Sequence, residues 1–285
     1  MITSSANPTV RQIRALRQRK ERERTGLFFI EGVRLVGEAV QVGADVEALV
    51  VAPDLLSSPF ARELVDQQAA ARTRIIEVSA EVFVGLSQKD GPQGLAAVAH
   101  QRWTHLADIR LGPPPGWVAL VEPADPGNLG TILRTADAVG AAGVILLDDA
   151  TDPYDPVALR ASMGAIFAVQ LAHASFAEFA TWKHARGAFL VGASDKAPAD
   201  YQAVTYAQPL VLLMGSERQG LSPAQQSLCD LMVRLPMRGR SDSLNLAVAT
   251  GVLLYEMLSQ GRRAGILHQD ALDTPSPDQG EGAGG

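Results

Sequence analysis

Between Trp117 and Gln260 the chain repeats one pattern: a short, nearly unbroken apolar run, a turn, then a stretch with helical spacing. The apolar runs are WVALVEP (117–123), GVILLDD (143–149), FAVQLA (167–172), AFLVGAS (188–194), PLVLLMGSE (209–217) and LMVRLPM (231–237). Helical spacing marks NLGTILRTADAVG (128–140), DPVALRASMGAI (155–166), FAEFATWKHAR (176–186), SPAQQSLC (222–229) and SLNLAVATGVLLYEMLSQ (243–260). A half-buried strand alternates apolar and polar residues, whereas these runs do not. They predict strands covered on both faces, and therefore an α/β fold around a mostly parallel sheet.

The first hundred residues carry a smaller version of the alternation. Strands are predicted at 27–32, 46–52, 74–79 and 93–100, with helices over 33–43, after Pro59 and from Ser79. Ahead of them, Val10, Ile13 and Leu16 recur at helical spacing behind Pro8, and Arg11, Arg14, Arg17, Arg19, Lys20, Arg22 and Arg24 cover the rest of that surface. Two readings stand for this basic stretch: a solvated amphipathic helix on its own domain, or a helix that meets phosphates. Three prolines between two glycines in LADIRLGPPPGW make a stiff connector. The tail HQDALDTPSPDQGEGAGG has too little apolar surface to fold alone and is expected to be disordered. The expected organisation is a basic helical extension (1–24), a small α/β domain (25–102), a linker (103–116), a large α/β domain (117–261) and the tail (262–285).

Composition excludes several classes. With a net charge of −6, the chain is not a generally basic nucleic-acid coat, though a local basic patch is compatible with it. One cysteine, Cys229, permits neither an intrachain disulfide nor a thiolate metal cluster, and it reads as a buried small hydrophobe. No apolar run is long enough for a membrane helix, and the opening residues lack a signal peptide's apolar region, so a cytoplasmic protein is expected.

Ligands of open parallel sheets collect beyond the C-terminal ends of the strands. Three conspicuous loops are predicted there. In PADPGNLGTILRTA, Gly127 and Gly130 permit a tight turn, Asn128 suits a helix cap, and Arg134 lies among small residues. In LLMGSERQGLSP, Glu217 sits between Gly215 and Gly220, either as a solvated turn residue or as a carboxylate that holds a guanidinium or main-chain group. In LPMRGRSDSLNLAVATG, Ser243 suits an N-cap, while Asn245 just inside the helix competes with the helix's own bonds and needs another task. A dinucleotide fingerprint, a P-loop lysine, a serine elbow and a zinc ligand set are all missing. Asp148, Asp149, Asp152 and Asp155 near one strand end leave a magnesium-dependent phosphotransferase or hydrolase as a rival.

Together, DPGNLGTILRTADAVG (125–140), LLMGSERQGLS (212–222) and LPMRGRSDSLNLAVATGVLLYE (235–256) resemble the three signature motifs of the SpoU, or TrmH-like, branch of the SPOUT RNA methyltransferases. Residues 25–100 are similar to the small L30e-type substrate-binding module found in that branch, and the opening residues resemble its ribosomal RNA members. The resemblance implies a deep trefoil knot in the C-terminal domain. It implies S-adenosylmethionine held by main chain around Met214, Gly215, Leu235, Met237 and Leu244. It also implies a homodimer that 2'-O-methylates RNA, ribosomal RNA before transfer RNA, with no metal, membrane or DNA involved. Arg134 then acts at the ribose hydroxyl or adjacent phosphate, Asn128 orients that arginine or the substrate, Glu217 positions the arginine or its loop, and Ser243 and Asn245 bond on the ribose side. A protein of this type that keeps RNA binding but has lost catalysis is the remaining alternative, and the presence of all five polar residues counts against it.

Overall fold

The structure is a computed structural model and describes residues 1–267. The smaller lobe starts with α1 (Pro8–Ala15) and α2 (Arg19–Thr25), followed by β1 (Leu27–Glu31), α3 (Val33–Gln41), β2 (Val46–Val51), α4 (Pro59–Ala70), β3 (Arg74–Glu77), α5 (Ala80–Leu86) and β4 (Leu95–His100). Its sheet runs β1-β4-β2-β3, antiparallel except for the parallel β2–β3 pair. One face of this sheet buries Val10, Ile13 and Leu16 with Phe83 and Leu86. The N-terminal segment is therefore built into the lobe, and Ile2 pairs with Val78 beyond the sheet's last strand. The basic stretch is two helices, not one, broken between Ala15 and Arg19.

Arg22 departs most from expectation. It is 2% exposed instead of solvated, with its guanidinium Nε 2.6 Å from Asp152 and Nη1 donating to the carbonyls of Leu16 and Arg17. Asp155 lies 3.6 Å away. Arg22 thus joins the lobe to the second half of the chain.

That half contains β5 (Trp117–Val121), α6 (Pro126–Ala138), β6 (Gly143–Leu147), α7 (Pro156–Ser162), β7 (Gln170–Ala174), α8 (Phe176–Arg186), β8 (Phe189–Ala193), β9 (Ala199–Asp200), β10 (Leu210–Met214), α9 (Pro223–Leu228), β11 (Leu231–Arg234) and α10 (Leu246–Arg263). Seven strands form one sheet in the order β7-β6-β5-β10-β8-β11-β9, and every neighbouring pair is parallel. All five residues of β5, β6 and β10 are buried, as their unbroken apolar character requires.

Several boundaries shift for local reasons. The helix predicted over 155–166 stops at Ser162, because Met163 takes a left-handed conformation, and the strand predicted at 167–172 starts only at Gln170. The two-residue strand β9 carries no sequence signal. The predicted connector is not free: Ile109 is buried against the large sheet, and the Trp117 indole donates to the Arg110 carbonyl. Helix α10 runs to Arg263, two residues into the predicted tail, whose residues 268–285 lie outside those described. Ser222 caps α9 as predicted, in a reciprocal capping box with Gln225.

Candidate active site

In the large sheet the chain leaves β5 for β6 and β7 on one side, then returns to fill the other side, so β5 and β10 flank the switch point. Crevices in open α/β sheets form there. The loops after these two strands are the first two conspicuous loops of the sequence.

After β5, Glu122 adopts φ +45, a conformation uncommon for a residue with a side chain. The chain then enters α6 at Pro126, earlier than predicted. Asp125 is the N-cap, its Oδ1 accepting from the Asn128 N–H at 2.7 Å, and Pro126 occupies the first helical position. Asn128 is therefore not the cap, and its side chain is free for other partners. Its Nδ2 donates to Glu217 Oε1 at 3.4 Å, and its Oδ1 accepts from Asn245 Nδ2 at 2.9 Å. Further along α6, a Cβ on Gly130 would lie 2.4 Å from the Ala158 carbonyl, so only glycine lets α7 pack this close.

Glu217 follows β10. Its carboxylate accepts from the Ala124 N–H at 3.2 Å and the Asp125 N–H at 3.5 Å, which clips the second loop onto the first. Gly215 is buried, and a Cβ there would sit 2.1 Å from the Gly220 main chain. That crowding closes the turn, across which Ser216 and Gly220 pair.

The third loop runs from β11 back to α10. Asn245 is itself the N-cap of α10, its Oδ1 accepting from Ala247 and Val248 N–H at 2.9 and 3.3 Å. It is thus not inside the helix, and Ser243 is not the cap. One asparagine both starts α10 and reaches α6. Ser243 is exposed and bonds only its neighbour Asp242. Leu235 is half-buried on the core that holds Met214; Met237 is half-buried, and Leu244 is 40% exposed. Among the described residues, no main-chain N–H from Leu235 to Asn245 donates a hydrogen bond within the protein.

The fold therefore joins Asn128, Glu217 and Asn245 by hydrogen bonds, and among the described residues neither Arg134 nor Ser243 is bonded to that chain. Arg134 is exposed and makes no hydrogen bond or ion pair among the described residues. Six residues after Asn128, it points about 120° away around the α6 axis. Asp125 was missed, though Asp followed by Pro is a legible helix start.

The acidic cluster is committed elsewhere. Asp148 accepts from the Phe176 N–H, Asp152 pairs with Arg22, and Asp155 caps α7. Among the described residues, no group of three or more potential ligands is placed to hold a metal ion. Three of the four acids behind the magnesium reading are thus engaged, and Asp149 alone is left exposed.

Fold and site define an α/β enzyme with ligand loops at a sheet switch point and a separate lobe attached. Residues 7–97 match the MRM3-like substrate binding domain, and residues 116–255 match the SpoU rRNA Methylase family. A 23S rRNA (uridine(2479)-2'-O)-methyltransferase from Streptomyces viridochromogenes is 35% identical over 90% of this chain and 91% of its own length. A 23S rRNA (guanosine(2553)-2'-O)-methyltransferase, RlmP, from Bacillus subtilis is 30% identical over 90% of this chain and 98% of its own. The AdoMet-bound rRNA methyltransferase structure from Sinorhizobium meliloti superposes with a TM-score of 0.84 at 38% identity, covering 94% of this chain and 98% of that one. The chain belongs to the SpoU rRNA methylase family.

Proposed function

We propose that this protein transfers a methyl group from S-adenosylmethionine to a ribose 2'-hydroxyl in ribosomal RNA. The hydrogen-bond chain Glu217–Asn128–Asn245 carries this reading, because it joins all three signature loops at the switch point. The cofactor and substrate named for the relatives support it.

The donor fits this chain's own residues. The N–H groups between Leu235 and Asn245 make no bond among the described residues and would serve its polar ends, and the family resemblance gives Met214, Gly215, Leu235, Met237 and Leu244 the task of holding it. When bound, it supplies a methyl group on a sulfonium that leaves as a neutral thioether. The protein needs no acid for the leaving group. It has to align the sugar oxygen and stabilise the charge that grows there as its proton departs. Arg134 is assigned that role. A guanidinium stays protonated, so it acts as a fixed cation and not as a base. Asn128 and Glu217 hold the first two loops in register, Asn245 fixes the start of α10, and Ser243 bonds on the ribose side.

The finer expectations belong to the same reading. The chain from β11 to α10 threads as a trefoil knot. The protein works as a cytoplasmic homodimer through the trough of about 590 Å³ between α6 and α10, where Val248, Val252 and Tyr255 form an exposed stripe beside Thr131 and Thr135. Arg134 follows Thr131 by one helical turn along this face. The small lobe holds RNA, with 25–102 and 117–261 as the functional halves. The test is to map 2'-O-methyl positions in ribosomal RNA after incubation with purified protein and S-adenosylmethionine. A new methylated position is expected; none in any ribosomal RNA would end the proposal.

A further inference from the structure

Of the three tryptophans, Trp117 and Trp182 are buried at 0% and 6% exposure, while Trp103 is 42% exposed. Trp103 sits in the strap between β4 and the large sheet, and the strap is pinned on both sides of it. The Tyr154 hydroxyl accepts from the Arg102 N–H and donates to the Arg102 carbonyl, both at 2.8 Å. The Thr104 N–H donates to the Leu171 carbonyl in β7 at 2.7 Å. The indole N–H donates to Gln101 Oε1 at 3.0 Å, and the ring meets Tyr154 and His173 edgewise at 5.7 and 6.4 Å. A large aromatic ring is thus held rigidly yet left partly open to solvent.

Beside it lies a groove of about 470 Å³, bordered by Arg19, Gln101, Trp103, Ala150, Asp152 and His173. That volume lies in the range of about 300–1,000 Å³ typical of small-ligand sites. The groove adjoins the candidate active site, because Thr151 on its wall donates to the Pro123 carbonyl at 2.8 Å, two residues before the cap of α6. The charged groups along it are largely paired with one another, and Arg19 also donates to the Ala150 carbonyl at 3.0 Å. Glu23 pairs with Arg19 at 2.7 Å and Asp152 with Arg22 at 2.6 Å. Arg19 remains half-exposed at the rim.

We propose that this groove takes one unpaired nucleotide of the RNA substrate, its base stacked on the Trp103 indole. The proposal rests on the RNA-methylating reading above. An unpaired base offers a π face whatever its identity, and aromatic platforms are how proteins commonly hold such bases. A platform already fixed by the strap loses little freedom on binding.

Intrinsic fluorescence tests this on the unmodified protein, because Trp117 and Trp182 are shielded and act as an internal standard. Pentauridylate is expected to quench Trp103 and to protect it from acrylamide. Trp103→Leu should abolish that response and raise the KM for ribosomal RNA about tenfold, the scale of one lost base–aromatic stack. Its kcat and S-adenosylmethionine affinity should stay unchanged, and Trp103→Phe should restore most of the KM. RNA binding that leaves Trp103 fluorescence unchanged, or an unaltered KM in Trp103→Leu, would overturn the proposal. If the methylation reading fails instead, the unmodified protein methylates no RNA at all, whereas the quenching experiment still reports on the groove.

Discussion

Replacing Arg22 with methionine keeps most of its volume and removes its charge. Asp152, whose side chain is 10% exposed, then loses the cation bonded to it, and the carbonyls of Leu16 and Arg17 lose a donor. Breaking a buried ion pair from one side costs about 3–5 kcal/mol. At roughly 2–4 °C per kcal/mol for a chain of this size, the melting temperature should fall by about 6–20 °C. Adding Asp152→Leu removes the stranded carboxylate, so the double variant should recover part of the loss. Recovery stays incomplete, because each unbonded buried carbonyl still costs about 1–3 kcal/mol. Calorimetry of the four proteins, the unmodified chain, both single variants and the double, separates these contributions. A loss under about 1 kcal/mol in Arg22→Met, the range of an exposed pair, would refute the claim that this arginine is a buried strut between the lobes.

Other outcomes follow from the same geometry. Arg134→Ala should leave melting and S-adenosylmethionine affinity unchanged, since the residue is exposed and unbonded, and should lower kcat roughly 10²–10³-fold; normal turnover would remove Arg134 from its assigned role. Gly130→Ala should destabilise by about 1–3 kcal/mol in urea unfolding, because α6 and α7 must separate to admit the methyl group. Burial pushes the Cys229 thiol up to about 12, so the thiolate is scarce at neutral pH and maleimide labelling should be slow until denaturant is added. Under the proposed homodimer, Val248→Asp should lower the sedimentation coefficient to that of a monomer, and an unchanged coefficient would count against this face as its interface.

The parallel sheet was legible because unbroken apolar runs have one economical solution, burial on both faces. The three loops were legible because glycines and short polar residues cluster at strand ends, where tight turns and close main-chain approach need them. Arg22 was not legible. Its neighbours in the sequence are solvated arginines, and its partner lies 130 positions away. The roles of Asn128 and Asn245 were only half visible. Both residue types suit helix caps, but Asp125 takes that task at α6 and Asn245 takes it at α10, which depends on where each helix starts. Helical spacing does not define those starts, and a single position decides whether a side chain faces its own main chain or another loop. The ion pairs that disarm the acidic cluster are likewise long-range.

Asn128 meets Glu217 across 89 positions and Asn245 across 117. A ribosome releases Asn245 long after the first two loops have left the exit tunnel. Until α10 docks, the half-made chain has all its strands from β5 to β11 yet lacks the bond that closes its ligand-binding end. Closure of that end therefore waits for the last helix of the large half to be made.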